Sequence, residues 1–237
     1  MNTLSRKLDL RHSPIAVGFL NAPPEGLGKW TGAVPAGCAF WRVAMDGRAF
    51  YTVPEDHYNC AVGSYTHSLT LPPDRGAVLE DTIGFMVGNG YIQIAEVSSI
   101  PVLPKPPAVI AYAPLGEAAF DPSVVLIAAK PYAAMLIYEA ALRAGAGEAL
   151  THALGRPGCA VLPLSLNAGS TVLSFGCKGN RTFTGLPDDE LYVAIPGGKW
   201  RAVEDALESI LKANSAMETY YRQKLETIAP AASDRPL

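Results

Sequence analysis

Two stretches of this 237-residue chain, each containing two cysteines, repeat one another in outline. The first runs from Cys38 to Thr66 (CAFWRVAMDGRAFYTVPEDHYNCAVGSYT), the second from Cys159 to Thr184 (CAVLPLSLNAGSTVLSFGCKGNRTFT). Both open with Cys-Ala, continue apolar for about two helical turns and reach a glycine, Gly47 or Gly169. A β-type run then leads to a second cysteine, Cys60 or Cys177, with Gly63 or Gly179 shortly after it. An apolar strand pattern lies upstream of each, Pro14–Leu20 closely and Val124–Ala129 with a helical insertion between. The repeat predicts two similar α/β halves packed about a pseudo-twofold axis. Equivalent positions then face a shared interface, so the four cysteines are expected to converge.

The remaining pattern fills in an α+β domain rather than a doubly wound sheet, because strands and helices mix without a steady βαβ beat. Helices are predicted over Met1–Leu10, Cys38–Met45, Gly76–Met86, Tyr132–Ala144 and Glu148–Leu154, each from apolar spacing or a glycine stop. A long C-terminal helix is expected from Lys199 to about Lys224, with Trp200, Val203, Leu207, Ile210 and Leu211 as its apolar stripe. Strands are predicted at Pro14–Leu20, Ala49–Val53, Tyr91–Val97, Ala108–Ala113, Val124–Ala129, Thr171–Phe175 and Glu190–Ile195. Asn21–Gly37 and Pro54–Tyr65 read as loops. The proline-rich Ile100–Pro107 is the expected junction between halves at 8–100 and 108–226 of a single domain, with a polar tail at 227–237.

Composition narrows the function classes. Apolar residues make up 49% and charged residues 17%, and the formal net charge is −3. With Lys and Arg scattered, there is no electrostatic footprint for nucleic acid. The longest apolar runs fall short of the roughly 20 residues a spanning helix needs, and the charged start MNTLSRKLDLRHSP has no secretory apolar run. A cytoplasmic setting is the resulting expectation, and in it cysteines serve more often as ligands or reactive thiols than as disulfides.

Spacing alone does not choose the chemistry. Cys38 and Cys60 are separated by 21 residues and Cys159 and Cys177 by 17, unlike zinc knuckles or small ferredoxins. The setting is more informative: Cys60 and Cys177 each lie in a glycine-bearing loop whose backbone N–H groups can turn toward sulfur and stabilise a thiolate. Lys178 and Arg181 beside Cys177 favour the thiolate or bind an anionic substrate. His57, beside Glu55 and Asp56 and three residues before Cys60, has the makings of a metal ligand or general base. Neither a dinucleotide fingerprint nor a serine-hydrolase elbow is present, since Gly88-Asn89-Gly90 lacks both the third glycine and the strand–helix setting.

The chain resembles the bacterial and archaeal domain-of-unknown-function family one-six-nine. The likeness is carried by Cys38-Ala39, Gly47, Glu55-Asp56-His57, Cys60 and Gly63. It continues through Ala113-Pro114-Leu115, Phe120, Pro122, Pro131 and Met135. Its strongest part is Ser174-Phe175-Gly176-Cys177-Lys178-Gly179-Asn180-Arg181-Thr182, followed by Asp189-Glu190 and Ile195-Pro196. The resemblance fixes no reaction, but it implies that all four cysteines occupy family positions. The leading expectation is therefore one 4Fe–4S cluster held by Cys38, Cys60, Cys159 and Cys177. A redox partner protein or a small molecule, sulfur-related among the options, would complete its role. His57, Lys178 and Arg181 are the candidates for substrate contact. The alternatives are a zinc-stabilised structural or interaction domain, a thiol enzyme using Cys177 as nucleophile, and inert buried thiols. The aromatic residues Trp41, Tyr51, Tyr65, Tyr220 and Tyr221 are compatible with a homodimer.

Overall fold

Strands β1 (Ile15–Leu20), β3 (Val109–Pro114), β4 (Val124–Ala129) and β7 (Leu191–Pro196) are the long members of one seven-stranded sheet. These are seen in a computed structural model that describes residues 3–148 and 153–232. The shorter strands are β2 (Phe50–Thr52), β5 (Ala153–Leu154) and β6 (Val172–Ser174), and the spatial order is β2-β3-β1-β4-β7-β6-β5. Six strands pair antiparallel, and only β5 joins its neighbour β6 in parallel. The sheet is centred on β1 against β4, with Ile15 opposite Leu126 and Val17 opposite Val124.

Nine α-helices are formed among the described residues. Helices α1 (Thr3–Lys7), α6 (Pro131–Arg143) and α9 (Trp200–Ala232) cover one face of the sheet. There Leu4, Ile137, Ala140, Val203, Leu207 and Ile210 pack on Ala16, Val125, Ile127, Val193 and Ile195. Helices α2 (Ala39–Met45) and α7 (Val161–Ala168) cover the other face. Their Phe40, Trp41, Ala44, Val161 and Leu162 meet Val17, Ile110, Tyr112, Leu126 and Ala194. Each large aliphatic buried this way contributes about 1.5–3 kcal/mol. With both faces covered, VVLIAA and LYVAIP are apolar at every position although the sheet is antiparallel. Gly197 just past β7 is required by contact: a Cβ there would lie 1.6 Å from the Pro122 carbonyl oxygen.

The α+β class, six of the seven predicted strands and the long C-terminal helix agree with the sequence reading. Several details differ. The predicted Met1–Leu10 helix is ordered as α1 only over Thr3–Lys7, and Met1 and Asn2 lie outside the described residues. Pro54–Tyr65, read as loop, contains a 3-10 turn and helix α3 (Ala61–Thr66). Helix α4 spans Pro73–Gly88, longer than Gly76–Met86. Tyr91–Val97 is not a strand: its apolar alternation finds no sheet edge, and it forms a turn and the short helix α5 (Ile94–Val97). In the predicted helix Glu148–Leu154, Ala153–Leu154 are strand β5, and residues 149–152 lie outside the described residues. Helix α9 runs beyond Lys224 into the expected tail, of which residues 233–237 lie outside the described residues. The segment Ile100–Pro107 does not divide the sheet, because β3 follows it yet pairs with both β1 and β2. None of the described helices is long and apolar enough to cross a membrane.

Candidate functional site

Each cysteine owes its position to a helix start on the α2/α7 face. Cys38 precedes α2, and Cys159 lies in the 3-10 turn Gly158–Ala160 that leads into α7. Cys60 caps α3, and Cys177 caps α8 (Lys178–Thr184). The two caps are built alike. The Gly63 N–H donates to Cys60 Sγ at 3.3 Å, and the Asn180 N–H donates to Cys177 Sγ at 3.4 Å. A helix N-cap normally takes a side-chain oxygen; here a sulfur takes that place twice.

The deeper pair is matched as well. Gly37 precedes Cys38 and Gly158 precedes Cys159, so both sit in a Gly-Cys-Ala tripeptide. A Cβ on Gly37 would lie 3.0 Å from His57 Nδ1, in the segment leading to Cys60. On Gly158 it would lie 3.0 Å from the Cys177 nitrogen and 3.3 Å from Gly176 Cα. Each glycine lets the first cysteine's turn press against the loop of the second.

All four cysteines are free and line one cavity of about 780 Å³. The roof of that cavity comes from α4 and the turn before α5: Leu79, Ile83, Met86, Tyr91 and Ile92. Burial pushes the Cys38 thiol up to about 12, and the nearby Cys60 and Cys177 push it in the same direction. Burial also drives Cys159 well above the ordinary thiol range, helped by Cys60, Cys38 and Cys177. Cys38 and Cys159 are thus each raised by burial and by the other cysteines around them. Among the described residues, no three His, Cys, Asp or Glu side chains stand close enough to grip a single metal ion.

The other sequence candidates separate. Lys178 lines the cavity, and its backbone N–H donates to Tyr91 Oη at 3.2 Å. Arg181 instead turns to the protein: its guanidinium donates to the carbonyls of Phe175 and Pro187 at 2.6 Å and of Glu190 at 3.0 Å. His57 is 1% exposed and lies below the cavity, where its Nε2 is 2.8 Å from Thr52 Oγ1. Since that hydroxyl donates to the Ile110 carbonyl, His57 donates through Nε2 and leaves Nδ1 bare. Burial first, then the neighbouring His67, hold His57 down to about 3.

Sequence reasoning missed Asn180 as a site residue. Its side chain is 2% exposed and lines the cavity, with neither amide atom in a well-formed hydrogen bond among the described residues. It stands near enough to Cys38 to favour the thiolate there. The signal was present in Cys60-Ala-Val-Gly63 and Cys177-Lys-Gly-Asn180, where the third residue after each cysteine supplies the capping N–H.

Fold and site define an α+β protein with a thiol-lined cavity on one face of its sheet. The chain belongs to the DUF169 family, described as uncharacterised ArCR, whose family model matches residues 3–206. No curated protein and no solved structure matches the chain.

Proposed function

We propose that Cys38, Cys60, Cys159 and Cys177 hold one 4Fe–4S cluster, with a redox or small-molecule role. The observation that carries this reading is the convergence of all four thiols on one cavity wall. Free thiolates so deeply buried would be strongly disfavoured, as the raised values of Cys38 and Cys159 express. A metal centre removes that cost by taking the charge directly. The donor set fits: thiolates are the usual ligands of iron–sulfur clusters, and N–H groups aimed at sulfur tune them. A cluster also spreads its four thiolates wider, to roughly 6–7 Å, than zinc with bonds of about 2.3 Å.

Bound there, such a cluster would supply one-electron chemistry. The chain's own residues have simpler tasks. Gly63 and Asn180 donate backbone N–H bonds to two sulfurs. The Asn180 amide offers a further donor near Cys38. Helices α2 and α7 exclude water from below, and α4 covers the site from above.

We propose also that two related halves assemble the site, meeting at the β1–β4 seam. Supporting this, β1-β3-β2 on one side answers β4-β7-β6 on the other in chain order and pairing. The two Gly-Cys-Ala turns and the two cysteine caps fall at matching places in that scheme. The divide then lies between β3 and β4.

Purification without oxygen tests the proposal. Brown protein absorbing near 400 nm, with about four irons and four sulfides per chain, is expected. Each single Cys→Ser variant should lower iron content. Colourless protein without iron overturns the reading, and about one zinc per chain without sulfide selects the zinc alternative.

A further inference from the structure

We infer that the cavity above the cysteines is a binding site for an anionic amphiphile, a small molecule with an apolar body and one terminal carboxylate or phosphate. The volume of about 780 Å³ lies within the range that encloses drug-sized ligands. The wall is mostly aliphatic and aromatic, and the roof helix α4 has no buried residue of its own. A helix carrying Val78, Leu79, Ile83 and Met86 toward a void lacks the apolar partner that normally holds such a helix down. An apolar guest would be that partner.

Charge sets the other end of the guest. Among the described lining residues the only charged side chains are Arg156 and Lys178, and there is no carboxylate. Arg156 is shared with Glu96, 3.6 Å away, and lies over the Tyr91 ring. Lys178 is in no ion pair among the described residues and is exposed at the rim. Deeper in, the 2% exposed Asn180 offers an amide that makes no well-formed hydrogen bond among the described residues, with Cys38 beside it. Apolar walls, a buried polar anchor and one rim cation, Lys178, that is in no ion pair among the described residues describe a site for a molecule with an oily body and an acidic end. That such a molecule is acted upon rests on the cluster proposal; that it binds does not.

Titration calorimetry on the full chain, with and without iron, tests this using dodecanoate, dodecyl phosphate, dodecanol and dodecyltrimethylammonium. Saturable binding of the two anions, with the cation binding at least about tenfold more weakly, is expected. Lys178→Glu should weaken the anions about tenfold and leave dodecanol unchanged. Ile83→Glu, on the roof, should weaken dodecanol and the anions alike. Equal affinity for the cation, or anion affinity unchanged by Lys178→Glu, overturns the inference, as does absence of saturable binding. Protein that is free of iron as purified without oxygen, yet binds dodecanoate through Lys178, would sink the cluster proposal alone. Iron-loaded protein that binds none of the four probes would sink this one alone.

Discussion

Thr66 Oγ1, at the end of α3, stands 3.5 Å from Cys159 Sγ, which lies 93 residues further along the chain. The same hydroxyl donates to the Gly63 carbonyl at 2.9 Å, and the Gly63 N–H donates to Cys60 Sγ. One short helix therefore touches two of the four sulfurs, one from each cysteine pair. A hydroxyl has a single proton, so it serves Cys159 as donor only by leaving Gly63. Thr66→Val keeps the shape and removes the donor. We expect it to cost about 1 kcal/mol in urea unfolding. In iron-loaded protein it should also make the reduction potential more negative, because a hydrogen bond to sulfur stabilises the reduced, more negative state. Thr66→Ser should restore the potential. A potential unchanged in Thr66→Val would show that the hydroxyl serves Gly63 alone.

The buried histidines make the protein acid-sensitive. His57 and His67 are each 1% exposed, their ring centroids 5.9 Å apart, and burial holds them down to about 3 and about 4. Both are neutral in the fold, whereas the unfolded chain binds protons below about 6.5. Stability from this source is full above pH 6.5 and is lost as pH falls toward the folded values, at about 1.4 kcal/mol per histidine per pH unit. The melting temperature should fall steeply between pH 6.5 and 4. Neither nitrogen of His67 has a hydrogen-bond partner among the described residues, so His67→Leu should leave stability at pH 8 within about 1 kcal/mol. It should also roughly halve the acid slope. An acid slope identical to the parent's would contradict this account.

Much of the fold was legible because its signal is local. The runs AVIAYA and VVLIAA announce strands buried on both faces, and the stripe from Val203 to Ile210 announces a helix lying on one side of a core. Helix α3 was not legible, because AVGSYT is too short for a period and contains a glycine. The alternation in YIQIAEV misled for a tertiary reason: its apolar residues face the cavity or solvent rather than a sheet. At the site, the grouping of the cysteines in two pairs could be read from the repeat, and Lys178, singled out only because it flanks Cys177, lines the cavity. The separate fates of His57 and Arg181 could not. Nothing in PEDH says that its histidine turns inward to Thr52, and nothing in KGNR says that its arginine collects backbone carbonyls.

Arg181 is in consequence a positioning residue for Cys177. Its fork ties Phe175, just before the cysteine loop, to Pro187 and Glu190, which lead into β7. Arg181→Ala removes the charge-assisted bonds to Phe175, Leu186, Pro187 and Glu190 and should lower stability by about 2–3 kcal/mol, less than a simple sum. Lysine should not rescue it, since a single ammonium cannot span the carbonyls that the planar guanidinium reaches. Alkylation of Cys177 in iron-free protein, followed by peptide mapping, should speed up selectively in both variants. Uniform acceleration at all four cysteines would instead indicate general loosening.

Gly158 and Gly37 offer a sharper comparison, because the same change meets different neighbours. In Gly37→Ala the new methyl would press on His57 Nδ1, a side-chain atom that can give a few tenths of an ångström. In Gly158→Ala it would press on the Cys177 nitrogen and Gly176 Cα, which are backbone and hold the cysteine loop in place. Overpacking of a tight contact costs about 1–3 kcal/mol. We expect Gly158→Ala at the upper end of that range and Gly37→Ala at the lower. If the proposed cluster forms, iron content after anaerobic purification should follow the same order, because only Gly158→Ala displaces the Cys177 loop by its backbone. Equal iron loading in the two variants, with Gly158→Ala the less stable, would show that the Cys177 loop can shift without disturbing the proposed cluster.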